Sequence, residues 1–287
     1  MVKELRLTYP IPVLCKVLDV SESGYHARQS RPLSRRAQEE GRLEVEIQAA
    51  HKRTRKTYGA ERLQDDLKEH GVIVGVSRIK RIRKKLGIRC KQVKKFKVTT
   101  DSKHDFPVAK NLLNQKFEVR APNKVWVGDI SYVSTGEGWL YIAGLKDIFT
   151  KEIVGYAIGE RMTKELVKKA LFRAVAQKRP PKGLIHHSDR GSQYCSPKYR
   201  DLLKQFKMKA SMSRKGNCYD NAPMESFWGT LKNELVYQRK YETRQEAIQD
   251  ITEYIEVFYN RQRRQAKLGF LSPAAYERQF YKERIAA

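Results

Sequence analysis

The chain has 287 residues, and its 59 lysines and arginines against 32 acidic residues give a formal net charge of +27. Apolar residues make up 40% of the sequence, which is enough for a hydrophobic core in one large domain or two modest ones. No apolar run approaches the roughly 20 residues that cross a bilayer, and the N-terminus lacks a signal-peptide cleavage site, so we expect a cytoplasmic protein with no membrane partner.

The excess of positive charge predicts a polyanionic partner, of which nucleic acid is the simplest. A solvated basic surface without any partner is the alternative. The four cysteines are scattered along the chain and none forms a C-x-x-C pair. We therefore expect free thiols and no structural zinc.

Residues 1–90 have the periodicity of short helices and are predicted to form a small all-α domain. Leu43, Ile47 and Ala50 recur at helical spacing and predict a helix that ends near Thr54. This region ends in a strongly basic segment, SRIKRIRKKLG.

The basic segment is predicted to be a helix that Ser77 caps and Gly87 closes. Its buried stripe would consist of Ile79, Ile82 and Leu86, and a short turn, GVIVGV, precedes it. The other positions carry six cations, namely Arg78, Lys80, Arg81, Arg83, Lys84 and Lys85. A helix, a short turn and a basic helix are typical of a helix-turn-helix DNA-binding domain. A solvated charged face on a small bundle is the alternative.

A basic stretch over 91–124, rich in turn formers, is predicted to be a linker. Three β-rich apolar runs follow, VWVGDISYV, GWLYIAGLKD and EIVGYAIG, and then helix and strand patterns alternate. Further helices are expected over 221–236 and 243–260. This order predicts an α/β catalytic core over 125–240 with a mixed sheet, followed by a helical C-terminal extension over 241–287.

Three acidic residues stand out by their positions. Asp129 lies inside an apolar strand, and Asp189 ends a buried-type strand, where a charge is costly unless it is compensated. Glu225 lies in the first turn of a helix that Asn221 can cap. Clustered carboxylates repel one another unless a hard cation such as Mg²⁺ or Mn²⁺ neutralises them. Taken singly, each acid also has an ordinary interpretation as a turn or helix-terminus residue.

A series of long motifs, in order, resembles the transposases of the insertion-sequence-three family, specifically the product of their second reading frame. The motifs are PNKVWVGDISYV, EGWLYIAGLKD, IVGYAIG, LIHHSDRGSQY, SMSRKGNCYDNAPMESFWGTLKNE and YIEVFYNRQRR. The 35 residues between Asp189 and Glu225 match the spacing of that family's acidic triad. Lys232 follows Glu225 by seven residues, also as in the family, which places it two helical turns later on the same face.

The resemblance implies a ribonuclease-H-like integrase core with a mixed five-stranded sheet and flanking helices. It implies a DDE transposase whose Asp129, Asp189 and Glu225 hold two Mg²⁺ or Mn²⁺ ions per active site. Its DNA would comprise the element's terminal inverted repeats and a target duplex, in a bacterial cytoplasm associated with the nucleoid. The family also implies an upstream reading-frame product, or a frameshift fusion with it, and a homo-oligomer on DNA.

Other residues are assigned to the neighbourhood of this site. Lys232 is expected to hold the terminal DNA by resemblance, and Trp228, one turn after Glu225, is expected to line the DNA groove. Of the two histidines before Asp189, His187 shares the face of the aspartate and could support a metal ligand, whereas His186 is expected in the core. Trp139 is also expected in the core. Asn221 is expected beside the acidic residues, in support of them, and Asp220 is expected to serve the turn before the helix and not the chemistry.

Two alternatives remain for the function. A ribonuclease-H-fold nuclease or junction resolvase would use the same acids, and a DNA-binding regulator of transposition would keep the fold without catalysis. The sequence also departs from the family at Gln265, where a histidine is usual, and this weakens a catalytic role for the C-terminal motif that contains Arg263.

Overall fold

The computed structural model of the chain describes residues 5–91, 107–214 and 218–285. The strands are β1 (Val125–Thr135), β2 (Gly138–Asp147), β3 (Ile153–Gly159), β4 (Ile185–Ser188) and β5 (Lys209–Met212). The α-helices before the sheet are α1 (Ile11–Val17), α2 (Glu22–Ser30), α3 (Arg35–Arg53), α4 (Ala60–Glu69) and α5 (Val76–Lys85). Those within and after it are α6 (Lys164–Lys178), α7 (Ser192–Cys195), α8 (Pro197–Gln205), α9 (Ala222–Glu234), α10 (Arg244–Glu253) and α11 (Pro273–Ile285).

The five strands form one mixed sheet in the order β3-β2-β1-β4-β5. The first three strands make an antiparallel meander, and β4 and β5 run parallel to β1. A hydrophobic cluster lies on each face: α9 covers one face through Met224 and Phe227, and α6 and α8 cover the other through Leu171 and Tyr199. The predicted fold class, a mixed five-stranded sheet with flanking helices after a helical region, is confirmed.

The helical region before the sheet packs α3, α4 and α5 around fully buried apolar side chains, among them Ile47, Leu63 and Ile82. The helix that contains Leu43 ends at Arg53, as its periodicity predicts. The predicted cap of the basic helix is wrong. Helix α5 begins at Val76 after an extended Gly75. Ser77 therefore lies inside the first turn, and no side chain caps this helix.

Part of the stretch that the sequence suggests is a linker packs against the sheet. Leu113 is buried, and the backbone NH of Leu112 donates to the Ser211 hydroxyl of β5 at 2.9 Å. Residues 92–106 of the same stretch lie outside the described residues.

The C-terminal helix predicted over 243–260 is α10 continued by a π-helix, Tyr254–Gln262. Within the π-helix, the Asn260 amide donates to the Ile153 carbonyl and accepts from the Ile153 NH, both at 3.0 Å. A π-helix is uncommon and concentrates at places under a specific structural demand. Here the π-helix attaches the C-terminal extension to the start of β3.

The thiols agree with the expectation from the sequence as far as they are described. Cys15, Cys90 and Cys195 are free, and the side chain of Cys218 lies outside the described residues. Within the described ranges, no helix is long and apolar enough to cross a bilayer.

Candidate active site

Two of the three predicted acids lie side by side because of the parallel pairing of β1 and β4. Gly128 of β1 pairs with Ser188 of β4, so the next residue of each segment is an aspartate, Asp129 and Asp189. The surrounding protein removes water from Asp129 and raises the pKa of its carboxyl well above the ordinary value. The neighbouring charge of Asp189 raises it further, and Glu225 adds a smaller contribution.

Asp189 is held by the backbone that follows it. Its Oδ1 accepts a hydrogen bond from the NH of Gly191 at 2.9 Å. A Cβ atom at position 191 would lie 3.1 Å from that same oxygen. Glycine therefore lets the backbone approach the carboxylate closely enough to orient it.

Glu225 reaches the same region from the first turn of α9. Its side chain is exposed, and partial desolvation raises the pKa of its carboxyl. Across the described ranges, no three His, Cys, Asp or Glu side chains are arranged so that they could hold a metal ion. Coulombic influence extends much further than a ligand bond of about 2 Å. Glu225 is thus close enough to affect Asp129 without forming a closed cluster with the two aspartates.

The start of α9 differs from the prediction. Asn221 occupies the N-cap position but makes no side-chain cap hydrogen bond, and its buried Oδ1 has no hydrogen-bond partner among the described residues. The predicted capping by Asn221 is therefore wrong. Its neighbour Asp220 is the acid that organises this turn.

Asp220 is a buried carboxylate that holds the turn before α9, the place in which the sequence put it. It accepts from the backbone NH, Nε and terminal nitrogen of Arg214 at 2.7, 3.1 and 2.9 Å. It also accepts from the amides of Asn111 and Gln115 at 2.9 and 3.0 Å. These donors, above all Arg214, lower the pKa of Asp220 below its ordinary value. Asp220 thereby joins the segment before the sheet to the turn that leads into α9.

Trp228 lies one turn after Glu225 and is buried, with 4% of its surface exposed. Its indole NH donates to Asp129 Oδ2 at 3.1 Å. The ring therefore faces the carboxylate and the sheet in this structure, and not an open groove. Trp139 shows the opposite: it was expected in the core, but 51% of its surface is exposed at the start of β2, so that prediction is wrong.

Lys232 lies two turns after Glu225, as predicted, but it is a buried lysine with 4% of its surface exposed. Its ammonium nitrogen is 4.8 Å from the centre of the Tyr132 ring, a cation–π distance. Burial lowers the pKa of Lys232, and the negative charge of Asp129 opposes that shift. The lysine therefore lies within the electrostatic field of the acidic site.

The two histidines before Asp189 have separate environments. His186 packs in the core, as expected, and its Nε2 is 2.9 Å from the Tyr199 hydroxyl. His187 is also buried, and its ring nitrogens are 2.8 Å from the Ser211 hydroxyl and 3.3 Å from that of Ser213. These contacts link β4 to β5 and the loop after it. A supporting role of His187 toward Asp189 stays a prediction.

A residue that the sequence analysis missed is Lys146, a buried lysine of β2. Its ammonium donates to the Pro223 carbonyl at 3.0 Å, close to the start of α9. Burial, and next the positive charge of Lys151, lower the pKa of Lys146 to about 7. The sequence signal for it was a lone lysine at the end of an otherwise apolar strand.

The predicted DNA-binding cations of α5 divide into three groups. Three of them pair with acids of α3: Arg78 with Glu39 and Arg81 with Glu40, both at 2.9 Å, and Lys85 with Glu44 at 2.5 Å. Arg83 is half-buried and donates to the Cys90 sulfur at 3.1 Å. Lys80 and Lys84 are exposed, and no ion pair involves them in the described part of the chain.

Comparison with protein families identifies the same regions. An integrase core domain family matches residues 119–218, and a second integrase core domain family matches residues 225–280. A family described as an HTH-like domain matches residues 37–96. The acids Asp129 and Asp189 fall in the first match, Glu225 opens the second, and helix α5 falls in the third.

Comparison with individual proteins finds relatives along nearly the whole chain. The chain is 59% identical over 268 residues to the insertion element IS600 uncharacterized 31 kDa protein of Shigella sonnei, covering 93% of this chain and 98% of the relative. It is 38% identical over 272 residues to the transposase InsF for insertion sequence IS3A of Escherichia coli (strain K12), covering 94% of each. Among solved structures, the HTLV-2 integrase catalytic core domain in complex with magnesium matches with a TM-score of 0.44 and 15% identity, over 55% of this chain and 97% of that one.

Proposed function

This chain belongs to the IS3 family of insertion-sequence transposases, and from that premise we propose that it cleaves DNA strands at insertion-sequence ends and joins them to target DNA. The observation that carries the proposal is the adjacency of Asp129 and Asp189 on paired strands, with Glu225 on α9 near enough for its charge to influence Asp129. Asp129, Asp189 and Glu225 are the proposed catalytic residues.

The donor set fits hard divalent cations. The three side chains offer only carboxylate oxygens, which Mg²⁺ and Mn²⁺ prefer. Burial, and next the charge of Asp189, raise the pKa of Asp129, and a cation between the carboxylates would oppose both effects. Asp129 and Asp189 would hold such ions from the paired strands, and Glu225, which forms no cluster with them in the described structure, would complete the ligand set for two ions. When bound, the ions would activate an attacking water or 3′-hydroxyl and stabilise the departing oxygen.

The chain's own residues prepare the site for in-line attack on a phosphodiester. The Gly191 NH orients Asp189, and the Trp228 indole orients Asp129. Lys232 contributes a buried positive charge close to Asp129, and we assign to it the positioning of the terminal DNA. Fixed groups of this kind lower the barrier because little rearrangement is needed when the substrate binds.

The partners follow from the charge and from the family. Helix α5 is proposed to contact the terminal inverted repeats, and the net charge of +27 suits a polyanionic duplex. We further propose that the chain acts with an upstream reading-frame product, or as a frameshift fusion with it. A homo-oligomer on DNA and an association with the bacterial nucleoid complete the proposal.

The test uses Asp129→Asn, Asp189→Asn and Glu225→Gln in the full chain with labelled terminal-repeat DNA and Mg²⁺. Each substitution removes one ligand charge, so cleavage and joining should be lost. DNA binding should persist, because lysine and arginine contacts to phosphate supply most of the affinity. Asp201→Asn, an exposed acid of α8, is the matched control and should behave like the unmodified chain.

Three other outcomes would be informative. Wild-type rates in any one of the three variants would remove that residue from the ligand set. Cleavage without joining of a pre-cut end would instead identify a nuclease or resolvase. Binding without any metal-dependent cleavage would identify a regulator.

A further inference from the structure

Trp228 makes a hydrogen bond whose other partner is a proposed catalytic residue. The bond runs from its indole NH to Asp129 Oδ2 at 3.1 Å. Because only 4% of the residue is exposed, the bond is shielded from competing water. A donor aimed at a carboxylate favours one orientation of that carboxylate and also its charged form.

The sheet has an opening that admits the indole. Gly144 of β2 pairs with Asp129 of β1 in the antiparallel register. A Cβ atom at position 144 would lie 3.0 Å from Cη2 and 3.2 Å from Cζ2 of Trp228. Gly144 has no unusual backbone requirement, since it is not among the glycines of positive φ. The same Cβ would also lie 3.3 Å from Cε of Met224, the end of a flexible side chain. The glycine at this position therefore leaves space mainly for the rigid indole.

The same contact fixes a helix against the sheet. Trp228 and Glu225 lie one turn apart on α9, and Asp129 lies on β1. An indole that packs on Gly144 and bonds to Asp129 fixes the position of α9 along the direction of β1. Since Glu225 moves with α9, the contact also sets where the glutamate lies relative to the two aspartates.

We propose that Trp228 is a positioning residue: through its bond to Asp129 and its seat on Gly144, it orients one carboxylate and aligns the helix that carries another. This inference rests on the proposed function, because it concerns the same three carboxylates. It assigns to Trp228 a role inside the protein in place of the DNA contact that the sequence led us to expect.

Trp126 provides a matched control. It is fully buried, and its indole NH also donates to a polar side chain, Asn123 Oδ1, at 3.2 Å. It belongs to the hydrophobic cluster on the opposite face of the sheet from Trp228. Trp126→Phe and Trp228→Phe therefore each remove one buried indole bond, but only the second removes a bond to a proposed ligand.

The decisive measurement is Mn²⁺ binding to the full chain without DNA, read from the loss of the free Mn²⁺ paramagnetic resonance signal. Loss of a partner that orients a ligand typically weakens metal affinity by about 10- to 100-fold. We expect a shift of about 10-fold or more in Trp228→Phe and none in Trp126→Phe. The Mn²⁺ concentration for half-maximal cleavage should move in parallel, and thermal melting checks that each variant is folded.

Gly144→Ala keeps the test open if Trp228→Phe does not fold. Its added Cβ displaces the indole without removing the NH, so Mn²⁺ affinity should fall. The double variant should be no weaker than Trp228→Phe alone, because phenylalanine lacks the two ring atoms that the Cβ would meet.

Two results would overturn the inference in distinguishable ways. Wild-type Mn²⁺ affinity in folded Trp228→Phe, with Asp129→Asn still weakened, would exclude the positioning role and leave the proposed function standing. Mn²⁺ binding that Asp129→Asn does not weaken would overturn the proposed metal site, and the inference with it.

Discussion

At the scale of single residues, Asp220 shows how a buried charge can stabilise the structure beside the proposed active site. It is 1% exposed and is surrounded by donors from Arg214, Asn111 and Gln115. Because these donors favour the charged form, the pKa of Asp220 is lower in the folded chain than in the unfolded one. The charged Asp220 therefore stabilises the folded chain fully above the pKa of an unfolded aspartate, about 3.9. This stabilisation is lost as the pH falls from that value through the lower pKa of the folded chain.

Asp220→Asn should lower the free energy of unfolding by about 1.5–3 kcal/mol, the range for hydrogen bonds to a charged group. The deficit should be the same at pH 7 and pH 5 and should shrink only below about pH 4. Urea unfolding at each pH measures it, with the exposed Asp201→Asn as the control. A deficit that already shrinks between pH 7 and pH 5 would contradict the lowered pKa.

Lys232 also carries a prediction at the residue scale. Lys232→Met keeps the buried aliphatic length and removes the ammonium beside Tyr132 and Asp129. If the charge positions the terminal DNA, single-turnover strand transfer should fall by a factor of about ten or more. Lys204→Met, an exposed lysine of α8, should leave the rate unchanged. Equal rates for both variants would separate Lys232 from the reaction.

At the scale of elements, α5 is a basic helix whose charge is partly neutralised by α3. Glu39, Glu40 and Glu44 pair with three of its cations. Exposed pairs of this kind contribute only about 0–1 kcal/mol each to stability. If DNA approached this edge of α5, its phosphates would have to replace those acids as partners of the three cations. Lys80 and Lys84 are exposed and could contact phosphate without breaking an ion pair to α3.

Glu40→Gln with Glu44→Gln should therefore increase DNA affinity, and Lys80→Ala with Lys84→Ala should decrease it. Removal of one lysine–phosphate interaction should flatten the log–log salt dependence by about 0.9. Fluorescence anisotropy with duplex DNA at several salt concentrations measures both effects, and Glu165→Gln, an exposed acid of α6, is the control. A salt dependence unchanged in both double variants would place α5 away from DNA.

At the scale of the whole molecule, the C-terminal extension joins the helical region to the α/β domain that contains the sheet. The Tyr58 hydroxyl accepts a hydrogen bond from the backbone NH of Arg264 at 2.6 Å and donates one to the Gln262 carbonyl at 3.3 Å. The Arg264 guanidinium pairs with Asp65 and Glu69 of α4. Next to it, Arg263 is buried and paired with Glu234, at the end of α9. The motif that contains Arg263 and lacks the usual histidine thus has a structural role at this joint.

Arg264→Ala should loosen this joint without unfolding the sheet. Hydrogen exchange should accelerate in α4 and in the π-helix, since both lose a shared anchor, while β1 and β2 stay protected. Arg278→Ala removes an exposed arginine of α11 that lines the same pocket as Arg264, and it should leave exchange unchanged. Exchange that accelerates equally in β1 and β2 would show that Arg264 stabilises the core as a whole.

The sequence by itself determined the order of helices and strands, because periodicity and turn residues are local. It also identified the candidate catalytic acids. Asp129 and Asp189 lie in or at the end of apolar strands, where an uncompensated charge is costly, and Glu225 lies in the first turn of a helix. The tertiary structure decided what depends on distant partners. Trp228 and Lys232 are buried, Trp139 is exposed, and Asp220 accepts hydrogen bonds from Arg214, Asn111 and Gln115. Contacts between residues far apart in the chain leave no local pattern, so packing alone could reveal them.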